Sequence, residues 1–281
     1  MMLRRVLLSL ALAYALLCLA VSQRYRAMLY PAPVEDAAMV PPGAHAVSAT
    51  AADGVAVQAV EFPARPGGWM VVHLHGNGEV IGNHFDLARD LARRGFGTLL
   101  VEYRGYGRSR GAGVTTEEGL YADVSAALDH LLGEGIGPER IALWGFSLGT
   151  GVAAEMAHRG RAARLILEAP YTSIPALGGH LYPLIPARWV LSDRFDTAAK
   201  AAEIRIPTFL MHGDEDRVIP VAMPERLRQL FPDVQLAEIA GGGHADLLAK
   251  EGDWLWHTLT DFIQRGNSPV LRRTLPAQRH R

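Results

Sequence analysis

Five residues, Gly145-Phe146-Ser147-Leu148-Gly149, constrain this chain more than any other stretch. They follow Arg140-Ile141-Ala142-Leu143-Trp144, an apolar run of strand length, and they open Thr150 to His158, an Ala-rich run that reads as a helix. A strand that turns at once into a helix passes through a sharp bend. The serine at that bend takes a strained backbone angle, and bulky side chains two positions away on either side would collide. Glycine at 145 and 149 meets that demand. The bend lifts the hydroxyl away from the backbone, where a base can reach it. Such a string also arises by chance; its place between a strand and a helix gives it weight.

The chain around it alternates between the same two elements. Trp69 to Leu74 and Thr98 to Glu102 are continuous apolar runs, the pattern of strands buried on both faces. Phe85 to Arg94 and Glu117 to Leu132 carry apolar residues at helical spacing, and glycines follow each. Arg164 to Glu168, Pro207 to Met211 and Val234 to Ile239 read as further strands, with helices at Pro224 to Phe231 and Asp253 to Gln264. Ahead of these, Ala44 to Thr50 and Val55 to Phe62 flank Asp53-Gly54, a hairpin signal. Strand and helix in alternation predict βαβ units and a mostly parallel twisted sheet flanked by helices, with ligands at the carboxyl edge of the strands.

At 281 residues, 49% hydrophobic and 20% charged, the chain suffices for one large α/β core. A net charge of −1 gives no nucleic-acid surface. The single cysteine, Cys18, lies in an apolar leader, so the folded body has no disulfide, cysteine-ligated metal or thiol nucleophile. We expect no cofactor.

That leader places Arg4 and Arg5 ahead of the uncharged run Val6 to Val21. It is either a cleaved signal peptide, with small residues at Cys18-Leu19-Ala20 and Ala20-Val21-Ser22, or a retained signal anchor. We favour the anchor, with the amino terminus inside and the body outside. The expected organisation is residues 1–28 as this segment, 29–266 as the body and 267–281 as a basic, loose tail.

A serine hydroxyl is a weak nucleophile at neutral pH. It needs a base in contact and a third group to orient that base. Of 11 histidines, His244 follows the last predicted strand in Gly241-Gly242-Gly243-His244. The acid comes from His212-Gly213-Asp214-Glu215-Asp216, after the penultimate strand. Asp216 is preferred: it lies farther along the loop, whereas Asp214 sits where a turn closes and Glu215 ranks last. An oxyanion needs two donors. The backbone N–H of Leu148 is one candidate, and that of Asn77, in His75-Gly76-Asn77-Gly78, is the other. His73 and His75 have no partners at zinc spacing, so no metal site is expected.

These motifs, with Tyr103-Arg104-Gly105-Tyr106-Gly107-Arg108-Ser109 and Asp193-Arg194-Phe195-Asp196, resemble the α/β-hydrolase fold serine hydrolases, in particular their membrane-anchored, serine-aminopeptidase-like branch. The resemblance spans about Leu29 to Gln264. It implies Ser147 as nucleophile, Asp216 as acid and His244 as base.

An insertion at about 171–203 stands where that fold carries a small helical cap. It is apolar, with Leu181, Tyr182 and Trp189 as candidate substrate contacts. We therefore expect a small or lipid-like acyl substrate, an ester or thioester. The alternatives are an aminopeptidase, for which the cap offers Asp193 and Asp196 to hold an amine, and a non-catalytic, membrane-tethered binding protein.

Overall fold

The computed structural model describes residues 1–33 and 39–267; apart from Asn267, the expected basic tail lies outside them. The leader is one continuous helix, α1 (Met2–Leu29). Strands β1 (His45–Thr50) and β2 (Ala56–Phe62) form an antiparallel hairpin, and Gly54 takes a φ of +83° in its turn. From there strand and helix alternate: β3 (Met70–Leu74), α2 (Phe85–Arg93), β4 (Gly97–Glu102), α3 (Glu117–Gly133), β5 (Ile141–Phe146), α4 (Leu148–His158) and β6 (Arg164–Glu168). Three short helices then interrupt the alternation, α5 (Ile174–Leu181), α6 (Ala187–Val190) and α7 (Thr197–Lys200). The chain closes with β7 (Thr208–Gly213), α8 (Ala222–Arg228), β8 (Val234–Ile239) and α9 (Leu247–Arg265).

The eight strands form one sheet in the order β1-β2-β4-β3-β5-β6-β7-β8. β1 and β2 run antiparallel to their neighbours, and the other six are mutually parallel. After β3 the chain adds β4 on one side, then returns to add β5 on the other. The sheet therefore reverses its order between β3 and β5, and a crevice opens at their carboxyl ends. The loops after these two strands carry Gly76-Asn77 and Ser147.

The strand period of two divides the core. Val72, Leu74, Leu99, Val101, Leu143 and Leu165 join α3 and α4 on one face. Val71, Ala142, Trp144, Ile166 and Phe209 join α2 and α9 on the other. Arg104, at the end of β4, ties the hairpin to this frame. Its guanidinium donates to Asp123 Oδ1 on α3 at 2.7 Å and to Asp53 Oδ1 in the turn at 3.1 Å.

Among the boundaries that differ from the sequence reading, two have a clear physical reason. α4 begins at Leu148, immediately after the serine, because Ser147 itself occupies the position ahead of the first helical residue. The last helical stretch begins at Leu247, six residues early. Gly252 breaks it with a φ of 47°, so the apolar period starting near Leu255 registers in sequence as a separate helix.

The bend at Ser147 depends on close backbone approach. A Cβ on Gly149 would lie 2.0 Å from the Leu74 carbonyl oxygen, and one on Gly145 would lie 2.3 Å from the Gly149 oxygen. Neither backbone atom can move without shifting a central strand or the first turn of α4. Gly149→Ala is expected to destabilise the fold by about 1–3 kcal/mol. Gly179→Ala, in α5 with open space around it, should be neutral or slightly stabilising. Equal urea midpoints for the two variants would contradict this.

Beneath the bend, Glu168 is buried and accepts a hydrogen bond from the Trp144 indole at 2.9 Å. Burial pushes its carboxyl from 4.5 up to about 7. The folded protein thus holds a proton that the unfolded chain releases first. Stability from this group is complete below about pH 4.5 and is lost as pH rises through 7, by about 3 kcal/mol in all. Glu168→Gln keeps the acceptor and removes the titration. Its stability relative to the parent should climb across that window; a constant offset in urea unfolding would refute it.

Candidate active site

The sheet topology fixes where each candidate arrives. Ser147 stands between β5 and α4 with φ 49° and ψ −116°, a conformation that residues other than glycine rarely adopt. Its own N–H is held by the Glu168 carbonyl at 2.9 Å, which ties the bend to the neighbouring strand. His244 follows β8, and Asp216 follows β7.

The structure brings these three side chains together. His244 Nε2 lies 3.0 Å from Ser147 Oγ, and His244 Nδ1 lies 2.8 Å from Asp216 Oδ2. The Asp216 carboxylate is buried, and its second oxygen accepts the N–H groups of Val218 at 2.7 Å and Ile219 at 2.9 Å. Burial alone would raise this carboxyl. Hydrogen bonds from His244, Ile219 and Val218 outweigh burial and hold its pKa below the ordinary carboxylate value. An ionised Asp216 accepts from the Nδ1–H of His244, which leaves Nε2 as an acceptor facing the Ser147 hydroxyl.

The neighbouring acids do other things. Asp214 accepts the Gly241 N–H at 2.7 Å and so joins the loop after β7 to the loop after β8. Glu215 is exposed. A residue the sequence reading did not single out, His212, completes the acid loop. It is buried, which lowers its pKa, and its neutral ring donates from Nε2 to the Ile219 carbonyl at 3.0 Å. The same residue, Ile219, then presents its N–H to Asp216. A histidine at the end of a buried strand was the available signal.

Leu148 is the first residue of α4, so its N–H has no intrahelical acceptor and points out of the helix start beside Ser147. The loop carrying Asn77 is braced on every side. The Glu79 carboxylate takes the Gly76 N–H at 2.8 Å and contacts His84 Nε2 at 3.1 Å. His75 is buried, which lowers its pKa to about 4, and its neutral ring donates from Nδ1 to the Gly76 carbonyl at 2.7 Å. A planar trans peptide directs the Asn77 N–H opposite that carbonyl. The hydroxyls of Tyr103 and Tyr106 then donate to the carbonyls of His75 and Asn77, at 3.3 and 2.9 Å. Sequence reasoning had Tyr103 and Tyr106 only as part of a motif of the resemblance and gave them no role at this loop. They come from the loop after β4, and only the sheet order places them here.

Leu181, Tyr182 and Trp189 are largely exposed in the insertion between β6 and β7. Asp193 is not available to hold a ligand amine: it is buried and receives both Arg26 and Tyr30. Asp196 caps α7 by accepting the Ala199 N–H. Away from the serine, Glu61, His130 and Glu134 bring ligand atoms within 4.8 Å of one another and could hold a cation. Glu61 pairs with Leu99 near the start of β4, which puts this cluster at the opposite sheet edge from Ser147.

Comparison with known proteins agrees with this architecture. Residues 66–197 match the family model for serine aminopeptidase, S33, and residues 187–251 match that for the alpha/beta hydrolase fold. The uncharacterized protein Rv2307c of Mycobacterium tuberculosis is 32% identical over 248 residues, covering 86% of this chain and 88% of the relative. The alpha/beta hydrolase domain-containing protein WAV2 of Arabidopsis thaliana is 29% identical over 190 residues, 59% of this chain and 60% of its own. Among solved structures, the Pyrococcus furiosus esterase Pf2001 superposes with a TM-score of 0.70 at 18% identity, over 84% of this chain and 99% of that one. A Paleococcus ferrophilus monoacylglycerol lipase gives 0.57 at 18% identity, over 74% and 98%. The sheet order, the bend at Ser147 and the sequence matches lead to one conclusion: the chain belongs to the α/β-hydrolase family.

Proposed function

We propose that this protein is a membrane-anchored serine hydrolase that cleaves a carboxylic ester or thioester with an apolar acyl group. The observation that carries the reading is the unbroken relay from Ser147 Oγ through His244 to Asp216, at 3.0 and 2.8 Å, mounted on a strained bend. In the proposed reaction Ser147 Oγ attacks the acyl carbon while His244 Nε2 takes its proton. The carbonyl oxygen gains negative charge and accepts hydrogen bonds from the N–H groups of Leu148 and Asn77. Collapse breaks the bond to the alcohol or thiol, and His244 returns the proton to that leaving group. Water then repeats the sequence: its oxygen bonds to the acyl carbon as His244 takes its proton, the acyl–Ser147 bond breaks, His244 gives the proton to Oγ, and a carboxylic acid and the free serine result.

The choice of ester over peptide rests on the insertion. An aminopeptidase needs a carboxylate or carbonyls to hold the free α-amine, and both candidate acids are engaged, Asp193 by Arg26 and Tyr30 and Asp196 by the start of α7. The intact relay speaks against a merely binding role. Helix α1 supports anchoring: it is 28 residues long, with a mean hydropathy of 2.1 over its most apolar window and almost every side chain exposed. We assign the catalytic body to the non-cytoplasmic side, since Arg4, Arg5 and the amino terminus precede the span.

A fluorophosphonate probe should label the parent protein, and Ser147→Ala should abolish labelling and lower kcat/KM by roughly a thousandfold or more. Asp216→Asn should lower kcat by roughly 10³–10⁴-fold, with a smaller change in KM, because it orients the base rather than touching substrate. Undiminished labelling of the alanine variant would end the assignment. For the substrate class, p-nitrophenyl esters of graded chain length should show kcat/KM rising beyond acetyl; turnover of acetate alone would count against an apolar acyl group.

A further inference from the structure

We propose that the insertion between β6 and β7 seats an apolar ridge in the lipid bilayer beside α1, and that the buried Asp193 locks ridge and helix into one unit. The inference rests on the reading of α1 as a membrane anchor.

The two elements touch along half the helix. Tyr14 Oη donates to the Leu184 carbonyl at 2.8 Å. Eleven residues on, Tyr25 Oη lies 2.6 Å from Ser192 Oγ and accepts the Asp193 N–H at 3.1 Å. At 1.5 Å per residue these contacts stand roughly 16 Å apart along the axis. The insertion thus climbs beside the apolar run and does not merely meet its end.

Its surface matches that position. Leu184 is 82% exposed, Trp189 77%, Tyr182 52% and Leu181 43%. The neighbouring faces of α1 are equally bare, with Leu10, Leu12, Leu16 and Leu17 all exposed. A contiguous apolar surface of this kind is unfavourable in water and calls for a covering phase. From Ile174 to Ser192 the chain holds no Asp or Glu, and Arg188 is its only Lys or Arg. The Arg188 guanidinium lies over the Trp189 ring, 4.7 Å from its centroid. Tryptophan and tyrosine with a nearby arginine are side chains of the bilayer interface, where rings sit among headgroups and the cation reaches phosphate. A bilayer is the occupant these features fit, since the ridge continues the surface of a helix apolar enough to cross one.

The lock is Asp193, 1% exposed. Arg26 donates to it from Nε at 2.8 Å and Nη2 at 2.9 Å, and Tyr30 Oη donates at 3.0 Å. Burial would raise this carboxyl, and these hydrogen bonds outweigh it, so it stays ionised. The lock lies on the carboxyl side of both small-residue cleavage points in the leader, so it survives processing at either. Because the insertion leaves the sheet at the carboxyl edge that carries Ser147, fixing its tilt fixes how that edge faces the membrane.

The test uses the full chain with Cys18→Ser and a single cysteine introduced by Leu184→Cys, labelled with NBD. The protein is reconstituted in vesicles of phosphatidylcholine and phosphatidylglycerol. Parallel labels go on Leu17→Cys in the helix and Glu134→Cys at the far sheet edge, and thermal unfolding checks that each variant is folded. Emission at 184 should be blue-shifted and quenched by doxyl-labelled lipid to at least half the extent seen at 17, while 134 responds only to aqueous iodide. Adding Arg26→Ala should lower lipid quenching at 184 severalfold and leave 17 unchanged. If 17 is quenched by lipid and 184 by iodide, the ridge proposal falls while the anchor stands. Shielding of 184 from both quenchers would mean a protein covers the ridge, and the proposal falls again. Loss of lipid quenching at 17 would remove the anchor and the ridge together.

Discussion

The contact on which the site depends is between backbones. The first turn of α4 presses on the ends of β3 and β5 so closely that no Cβ fits at Gly145 or Gly149. That approach leaves Ser147 at a positive φ, and the serine N–H is spent on the Glu168 carbonyl of β6. A strained residue persists only when its surroundings over-determine it. Here the surroundings are three parallel strands and a helix start, all buried. The hydroxyl is therefore held still before any substrate arrives.

Around that fixed point the remaining groups are braced, some by residues of their own loop and some from the loop after a neighbouring strand. Asp216 is held by the backbone of Ile219, whose carbonyl is held by His212. The Gly76 peptide is held by Glu79 on one side and His75 on the other. Tyr103 and Tyr106, in the loop after β4, donate to the flanking carbonyls of His75 and Asn77. Preorganised donors and acceptors of this kind need little reorganisation when charge develops, and that is how a fold of ordinary residues stabilises a transition state. The braces gather at the crevice of the sheet's switch point, where ligands of such sheets bind.

The insertion shows the same economy of parts at a larger scale. Helix α1 is by length and composition only a membrane span or a leader. Arg26 and Tyr30, on the buried Asp193 carboxylate, and Tyr25, on its backbone N–H, make the end of α1 part of the folded body. This also bears on the name of the matching family. A carboxylate occupied by the chain's own arginine is not free to hold an amine, so the match to the serine aminopeptidase model assigns Asp193 no such role.

Most strands and helices were legible in the sequence because burial on both faces, on one face or on none leaves a periodic trace, and glycines mark where it stops. The order Ser147, Asp216, His244 was legible for the same reason: each follows a readable strand. Helix boundaries near Leu148 and Gly252 were not, since a strained angle and a mid-helix glycine leave no period. The braces were not legible either. Tyr106 and Asn77 are 29 residues apart, and Asp193 lies 167 from Arg26. Local sequence determined which segments are strands, which is the bend and which residues could do chemistry. Only the tertiary structure decided which distant side chains hold them in place, because such pairings follow from strand order and helix docking, and neither is written in any local period.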